Sequence, residues 1–123
     1  MTAPRRILIV EDDEAARELF RHYLDKEKLE IFTADDGAEA LVTAAAKRPD
    51  VVVLDLMLPE LHGIGVCKAL KADPATRGAR VMIVSVKGFA ADRNQAVEAG
   101  AELFLTKPVS RDDFLAAVRQ LLK

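Results

Sequence analysis

Residues 51–59 read VVVLDLMLP, and the fold turns on how that run is understood. Val51, Val52, Val53 and Leu54 leave no polar alternation. A strand made of them must be covered on both faces, as in a parallel sheet between layers of helices. Asp55 then closes the run. A carboxylate taken out of water is costly unless it is paired, hydrogen-bonded or bound to a cation. Asp55 therefore either opens a solvated helix start or is held at the strand exit for a chemical purpose.

Moving outward, strand-like and helix-like patterns alternate. RRILIV (5–10) is a second apolar run, ended by acids, and ARVMIVS (79–85) a third. LEIFTA (29–34) and AELFLT (101–106) are the remaining strands, and the run around Asp55 spans 50–55. Between them, apolar residues recur at helical spacing. The first helix is expected from Asp13 to about Lys26, the second over 37–48 before Pro49, and the third over 63–72. The fourth is a weak, Ala-rich helix over 90–99 ended by Gly100. The fifth covers 110–123 with Ser110 as its N-cap. Five βα repeats predict an α/β domain with right-handed crossovers, a single doubly wound (βα)5 flavodoxin-like sheet in the order 2-1-3-4-5.

Composition narrows the classes of function. The 123 residues suit one domain, and half of them are apolar. A net charge of −2 without a long basic run argues against direct nucleic-acid binding. Cys67 is the single cysteine, so no intrachain disulfide can form, which fits a cytoplasmic location. The N-terminal apolar stretch is too short for a signal peptide or a span, so no membrane insertion is expected. The whole of 1–123 is expected to be one domain, with no output domain in this chain.

Ligands of such sheets bind beyond the carboxyl ends of the strands. Those ends carry Glu11, Asp12 and Asp13 after the first strand, Asp55 after the third, Ser85 after the fourth, and Thr106-Lys107-Pro108 after the fifth. Each piece has a plain reading. Acids after a strand suit the next helix dipole, a strand-end serine is ordinarily hydrogen-bonded, and a Lys-Pro is a loop signal. Their convergence on one edge is stronger than any member. Carboxylates held together repel one another, and a hard divalent cation with oxygen ligands, Mg²⁺ above all, removes that repulsion. A carboxylate, a cation site and a lysine are equipment for phosphoryl transfer to aspartate.

At these residues the sequence resembles a response-regulator receiver domain of two-component signalling, over essentially the entire chain. The carrying features are the acids Glu11 and Asp12, then Asp55, Ser85, and Lys107-Pro108, with Phe104 three residues before the lysine. Ser85 lies thirty positions after Asp55 and Lys107 twenty-two after Ser85, as in the family. MLPELHG after Asp55 resembles the family's Met-Pro…Gly loop. The resemblance implies that Asp55 is the phosphoacceptor and that Mg²⁺, or Mn²⁺ in its place, is held by Asp12, Asp55 and the Met57 backbone carbonyl, with Glu11 acting through water. It implies that Ser85 and Lys107 bind the phosphoryl group, that Phe104 changes rotamer with Ser85, and that the Lys107-Pro108 bond is cis. The implied partners are a sensor histidine kinase or histidine phosphotransfer protein upstream and a protein partner or separate output domain downstream. The surface over 90–123, including Arg93, Glu98, Asp112, Asp113 and Arg119, would meet that partner or a second copy in a homodimer.

Two departures stand out. His62 occupies the position before Gly63 where Asp is common, on what should be loop surface. Val86 follows Ser85 where a smaller residue is usual, which predicts slow phosphoryl exchange or hydrolysis. Met57 and Lys87 hold positions that tune dephosphorylation, and Pro59 should stiffen its loop. Gly88 should loosen the approach to the fourth helix. The alternative reading is a receiver-like module that binds without phosphorylation. An aspartate-nucleophile phosphohydrolase would need a second Asp two residues after Asp55, where Met57 stands. The expectation is thus a switch that catalyses only its own phosphorylation and slow dephosphorylation, not an enzyme acting on other substrates. A flavin carrier is not expected, because no Ser/Thr/Gly-rich phosphate loop follows the first strand and the acids there would repel the cofactor's phosphate.

Overall fold

A computed structural model describes residues 4–58, 62–86 and 90–123. Pro59 and the rest of 59–61, together with Lys87, Gly88 and Phe89, lie outside the described residues, so the expectations placed on them are not addressed. The strands are β1 (Arg5–Val10), β2 (Leu29–Ala34), β3 (Val51–Leu54), β4 (Arg80–Ser85) and β5 (Leu103–Thr106). The helices are α1 (Glu14–Tyr23), α2 (Gly37–Lys47), α3 (Gly63–Ala72), α4 (Ala90–Glu98) and α5 (Arg111–Leu121). All strand pairs are parallel, in the expected order β2-β1-β3-β4-β5.

The unbroken apolar runs are now explained by period-two geometry. Ile7, Ile9, Val51, Val53, Met82 and Val84 point to one face, where Phe20 of α1, Leu24 just past it, and Phe114, Val118 and Leu121 of α5 close over them. Leu8, Val10, Val52, Leu54, Val81 and Ile83 point to the other, under Ala40, Val66, Cys67, Leu70 and Ala96 from α2, α3 and α4. Each buried Val, Leu, Ile, Phe or Met among them contributes about 1.5–3 kcal/mol by leaving water. A single polar replacement in β3 would therefore break one face or the other. Cys67 is fully buried, as expected, and its thiol donates to the Ala99 carbonyl at 3.4 Å.

Helix starts follow their caps. Asp13 accepts from Ala16 N–H, Asp36 from Glu39 N–H and Ser110 from Asp113 N–H, at 3.0, 2.8 and 3.1 Å. His62 is exposed and caps α3, its Nδ1 accepting from Ile64 N–H at 3.2 Å. Several boundaries shift by a residue or two from the sequence reading, and two of the shifts have a clear cause. The first helix stops at Tyr23, because Leu24 folds fully into the core and its N–H is shared between the Phe20 and Arg21 carbonyls. The last strand begins at Leu103, two residues late. Ala101 N–H is taken by the Ala96 carbonyl and Gly100 N–H by the Val97 carbonyl, a closure that needs the positive φ of Gly100 (101°). Glu102 then bridges the sheet entrance, accepting from Val81 N–H and from Lys71, both at 2.6 Å.

Among the described residues, one is conformationally costly. Arg48 closes α2 in the left-handed region, at φ 48°. A side chain there costs about 1 kcal/mol that glycine avoids. Arg48→Gly is expected to stabilise the chain by about 0.5–1 kcal/mol in urea unfolding, and a loss of stability would contradict this account.

Candidate functional site

The parallel register brings four strand ends to one edge. Asp55 N–H continues the ladder to the Val10 carbonyl (3.1 Å) and Glu11 N–H continues it to Ala34 (3.1 Å), so both acids leave the sheet from fixed backbone. Ser85 lies opposite Thr106 in the β4–β5 register, and Lys107 N–H donates to the Ser85 carbonyl at 2.9 Å. Glu11, Asp55 and Ser85 are all buried, whereas Asp12 is exposed at the mouth. Ligand oxygens of Glu11, Asp12 and Asp55 lie within 4.8 Å of one another.

Lys107 joins the edge together. Its ammonium is 2.7 Å from Glu11 Oε2 and 3.1 Å from Asp55 Oδ2, so it is not the solvated lysine that a Lys-Pro loop alone would suggest. Asp55 Oδ1 accepts from Met57 N–H at 2.9 Å, and Glu11 Oε1 from Asp13 N–H at 3.2 Å. Burial pushes the Glu11 carboxyl up to about 7 from its ordinary 4.5, with Asp55's charge adding to it and Lys107's hydrogen bond opposing. Burial pulls Lys107 down, but its bonds with Glu11 and the charge of Asp55 outweigh this and leave it above the usual lysine range. The ammonium therefore stays charged while Glu11 is drawn towards neutrality. Three hard oxygen donors, one partner cation and an open rim fit a divalent cation that keeps some of its waters.

The remaining expected residues surround this centre. Met57 and Val86 are exposed on the rim. Phe104 is partly buried on β5 with the Arg93 guanidinium 4.7 Å above its ring, and Arg93 also donates to Thr106 Oγ1 at 3.0 Å. The Lys107-Pro108 bond is cis, as the resemblance implied. Gly63 packs against the Asp55 carbonyl and donates from its own N–H to Leu56 (3.1 Å). An apolar cavity of about 400 Å³ opens beside Lys107, bounded by Leu19, Phe20, Tyr23, Val86 and Pro108.

Sequence reasoning missed two supporting residues. Arg17 donates to the Glu11 carbonyl at 2.9 Å and pairs with Asp35 at 3.0 Å, tying the β1 exit to the β2 exit. Tyr23 reaches the loop after Lys107. Neither has a local signal, since an Arg and a Tyr on an amphipathic helix look like ordinary surface and core. Only the packing of α1 against the sheet edge brings them into play.

Comparison with known proteins agrees with this architecture. The family model for the response regulator receiver domain matches residues 7–119. Response regulator PleD of Caulobacter vibrioides is 42% identical over 118 residues, covering 96% of this chain and 26% of PleD. Response regulator MprA of Mycolicibacterium vanbaalenii is 38% identical over 120 residues, covering 98% of this chain and 51% of MprA. The chain thus spans a quarter to a half of these relatives. The chemotaxis protein CheY4 of Vibrio cholerae superposes with a TM-score of 0.91 at 25% identity, covering 97% of this chain and 99% of that one. No helix among the described residues is long and apolar enough to cross a membrane. With the sheet order, the acids at the strand exits and the match over 7–119 together, this chain belongs to the response regulator receiver domain family.

Proposed function

We propose that the chain is a phosphorylation switch in which Asp55 accepts a phosphoryl group from a phosphohistidine of a kinase or phosphotransfer protein. The observation that carries this is the Lys107 ammonium seated between Glu11 and Asp55 beside a cluster of three carboxylates. Asp12, Asp55 and the Met57 carbonyl would hold Mg²⁺ or Mn²⁺, with Glu11 acting through water. When bound, the cation supplies charge neutralisation for the transferring phosphoryl oxygens.

The chain's own groups do the rest. An Asp55 oxygen attacks phosphorus as the P–N bond to the donor imidazole breaks, and the imidazole leaves with a proton. Lys107, already 3.1 Å from Asp55 Oδ2, exchanges its carboxylate contact for a phosphoryl oxygen. The Ser85 hydroxyl donates to another, and Phe104 follows Ser85 as the β4 end adjusts. Among the described residues of α4, only Ala96 is buried, so few apolar contacts hold that helix against the change. The surface of α4, β5 and α5 then presents the signal to a downstream protein, an output domain or a second copy. A near-complete swing, from 1:99 to 99:1, needs about 5.5 kcal/mol of differential stabilisation. The protein turns over no substrate other than its own phosphoryl group. Incubation with a small acyl phosphate and Mg²⁺ tests the reading by intact mass. Uptake of one phosphoryl group at Asp55 is expected; none would favour a module that binds without phosphorylation.

Two further outcomes follow from the site. Val86 is exposed and lines the cavity beside Lys107, and its branched side chain would narrow the approach to Asp55. Val86→Ala is expected to speed uptake and hydrolysis about threefold or more in a phosphorylation time course, and unchanged rates would remove Val86 from the account. Glu11 sets a pH dependence. Its folded carboxyl is raised to about 7 from 4.5, so between these values the folded chain binds a proton that the unfolded chain has lost. Stability of the metal-free chain should therefore fall as pH rises from 4.5 to 7, and Glu11→Gln should flatten that slope. The raised Lys107 acts only at alkaline pH, outside this window. Because a cation prefers ionised Glu11, Mg²⁺ affinity should rise about tenfold from pH 6 to pH 8. A pH-independent affinity in titration calorimetry would contradict it.

A further inference from the structure

The reach of Lys107 to Glu11 and Asp55 depends on how the chain leaves β5. One end of the 107–109 segment is tied to β4 by the bond from Lys107 N–H to the Ser85 carbonyl, at 2.9 Å. At the other end the Tyr23 hydroxyl donates to the Val109 carbonyl oxygen at 3.1 Å. The next residue, Ser110, is committed to capping α5. Tyr23 is itself held firmly. Its ring lies 6.3 Å from that of Phe20 and 5.6 Å from that of Phe114, and those two stack at 4.8 Å with their planes 3° apart. A rigid aromatic cluster between α1 and α5 thus carries a single polar group to the loop that bears Lys107.

Packing alone gives no reason for that hydroxyl. Tyr23 lines the same apolar cavity as Leu19, Phe20 and Val86, where a phenylalanine would fill the space as well. Tyr23 is half-buried, and its hydroxyl is spent on the Lys107 loop. We propose that Tyr23 is a positioning residue for phosphoryl transfer, fixing the 107–109 segment so that the Lys107 ammonium stays aimed at Asp55. This rests on the reading of Lys107 as the group that pairs with the incoming phosphoryl oxygens. Without the hydroxyl, the Val109 carbonyl turns to water and the loop gains freedom at the end that the Ser85 bond does not hold. Lys107 then spends less of its time within reach of Asp55.

The test is Tyr23→Phe in the full chain, with two readouts. The first is the ¹⁵N order parameter of the Lys107 ammonium, which is independent of phosphorylation; it is expected to fall by about 0.1. The second is the rate of phosphorylation by a small acyl phosphate with Mg²⁺, expected to fall about threefold, the scale of one neutral hydrogen bond. In a Lys107→Gln background the Tyr23→Phe substitution should leave the rate unchanged, because the effect runs through Lys107. Glu27→Gln is the control for general loosening. It removes the charge from the 3.0 Å pairing of Glu27 with Arg119 of α5, so it should lower stability slightly while leaving the Lys107 order unchanged. An unchanged Lys107 order parameter in Tyr23→Phe, or an equal rate loss in both backgrounds, overturns the proposal. If the parent chain takes up no phosphoryl group, the functional reading fails instead, and the ammonium order alone decides whether Tyr23 positions Lys107.

Discussion

Asp55→Asn is expected to take up no phosphoryl group from an acyl phosphate, yet its metal-free form should unfold no more readily than the parent chain. The amide preserves the shape of the carboxylate, and its oxygen can still accept from Met57 N–H, now at 2.9 Å from Oδ1. The loop therefore keeps its local tie. What is lost is a nucleophile, because an amide oxygen does not form a stable bond to phosphorus under these conditions. The electrostatic consequences run in two directions. Asp55's charge raises the Glu11 carboxyl, so removing it relieves a buried repulsion. It also takes from Lys107 one of its two carboxylate partners. Glu11, Asp12 and Asp55 bring up to three negative charges against one positive charge from Lys107, and the variant moves that balance towards neutrality. The thermal midpoint without metal should be equal or higher. For a divalent cation the same change is purely a loss, of one ligand and one charge, and Mg²⁺ should bind about tenfold more weakly or worse. Intact mass, calorimetry and thermal unfolding on one preparation decide it. Phosphoryl uptake by the variant would place the acceptor elsewhere, and a large drop in the metal-free midpoint would mean that the Lys107 pairing outweighs the repulsion.

The legibility of this site has a physical pattern. Residues whose chemistry conflicts with their surroundings in sequence were visible: an aspartate ending an aliphatic run, acids after a strand, a lysine before proline. A parallel sheet sends every strand exit to one edge, so recognising the alternation was enough to bring Glu11, Asp55, Ser85 and Lys107 together. Element cores were legible for the same reason. Apolar periodicity is imposed by burial, and the 5–10, 29–34 and 63–72 segments match their observed bounds. Boundaries that depend on a long-range partner were not. The late start of β5 follows from bonds of Gly100 and Ala101 back to α4 and from Glu102 reaching Val81 and Lys71. Arg93 looked like one of several surface charges until its place over the Phe104 ring was seen. Tyr23 and Arg17 act through backbone carbonyls, which carry no sequence identity at all. His62 kept the capping role through its imidazole nitrogen, so a residue that looked like a departure left the helix start intact.

Gly63→Ala is expected to be among the most damaging single-methyl additions this chain can receive. Gly63 opens α3 directly beneath the β3 exit, and its N–H bonds to the Leu56 carbonyl at 3.1 Å. A Cβ built there would overlap the Asp55 carbonyl oxygen and lie 2.7 Å from Leu56 Cα. Both obstacles are backbone, so no side chain can rotate aside to make room. Backbone movement in a close-packed interior puts the cost near the upper end for overpacking, about 3 kcal/mol. In a domain of this size that lowers the thermal midpoint by about 10 °C or more. The consequence for function is larger in proportion, because the displaced atoms belong to Asp55 itself. A shift of about 1 Å at a reacting group costs roughly a hundredfold in rate. Gly78→Ala is the internal control, since nothing lies within 4 Å of a Cβ at that position. It should be neutral or slightly stabilising, by about 0.4–1 kcal/mol, because alanine restricts the unfolded chain. Urea unfolding and acyl-phosphate labelling of the two variants side by side make the comparison. If Gly63→Ala unfolds like Gly78→Ala while still accepting a phosphoryl group at the parent rate, then the β3–α3 connection yields freely. In that case the tight seat of α3 under Asp55 is not what holds the carboxylate in place.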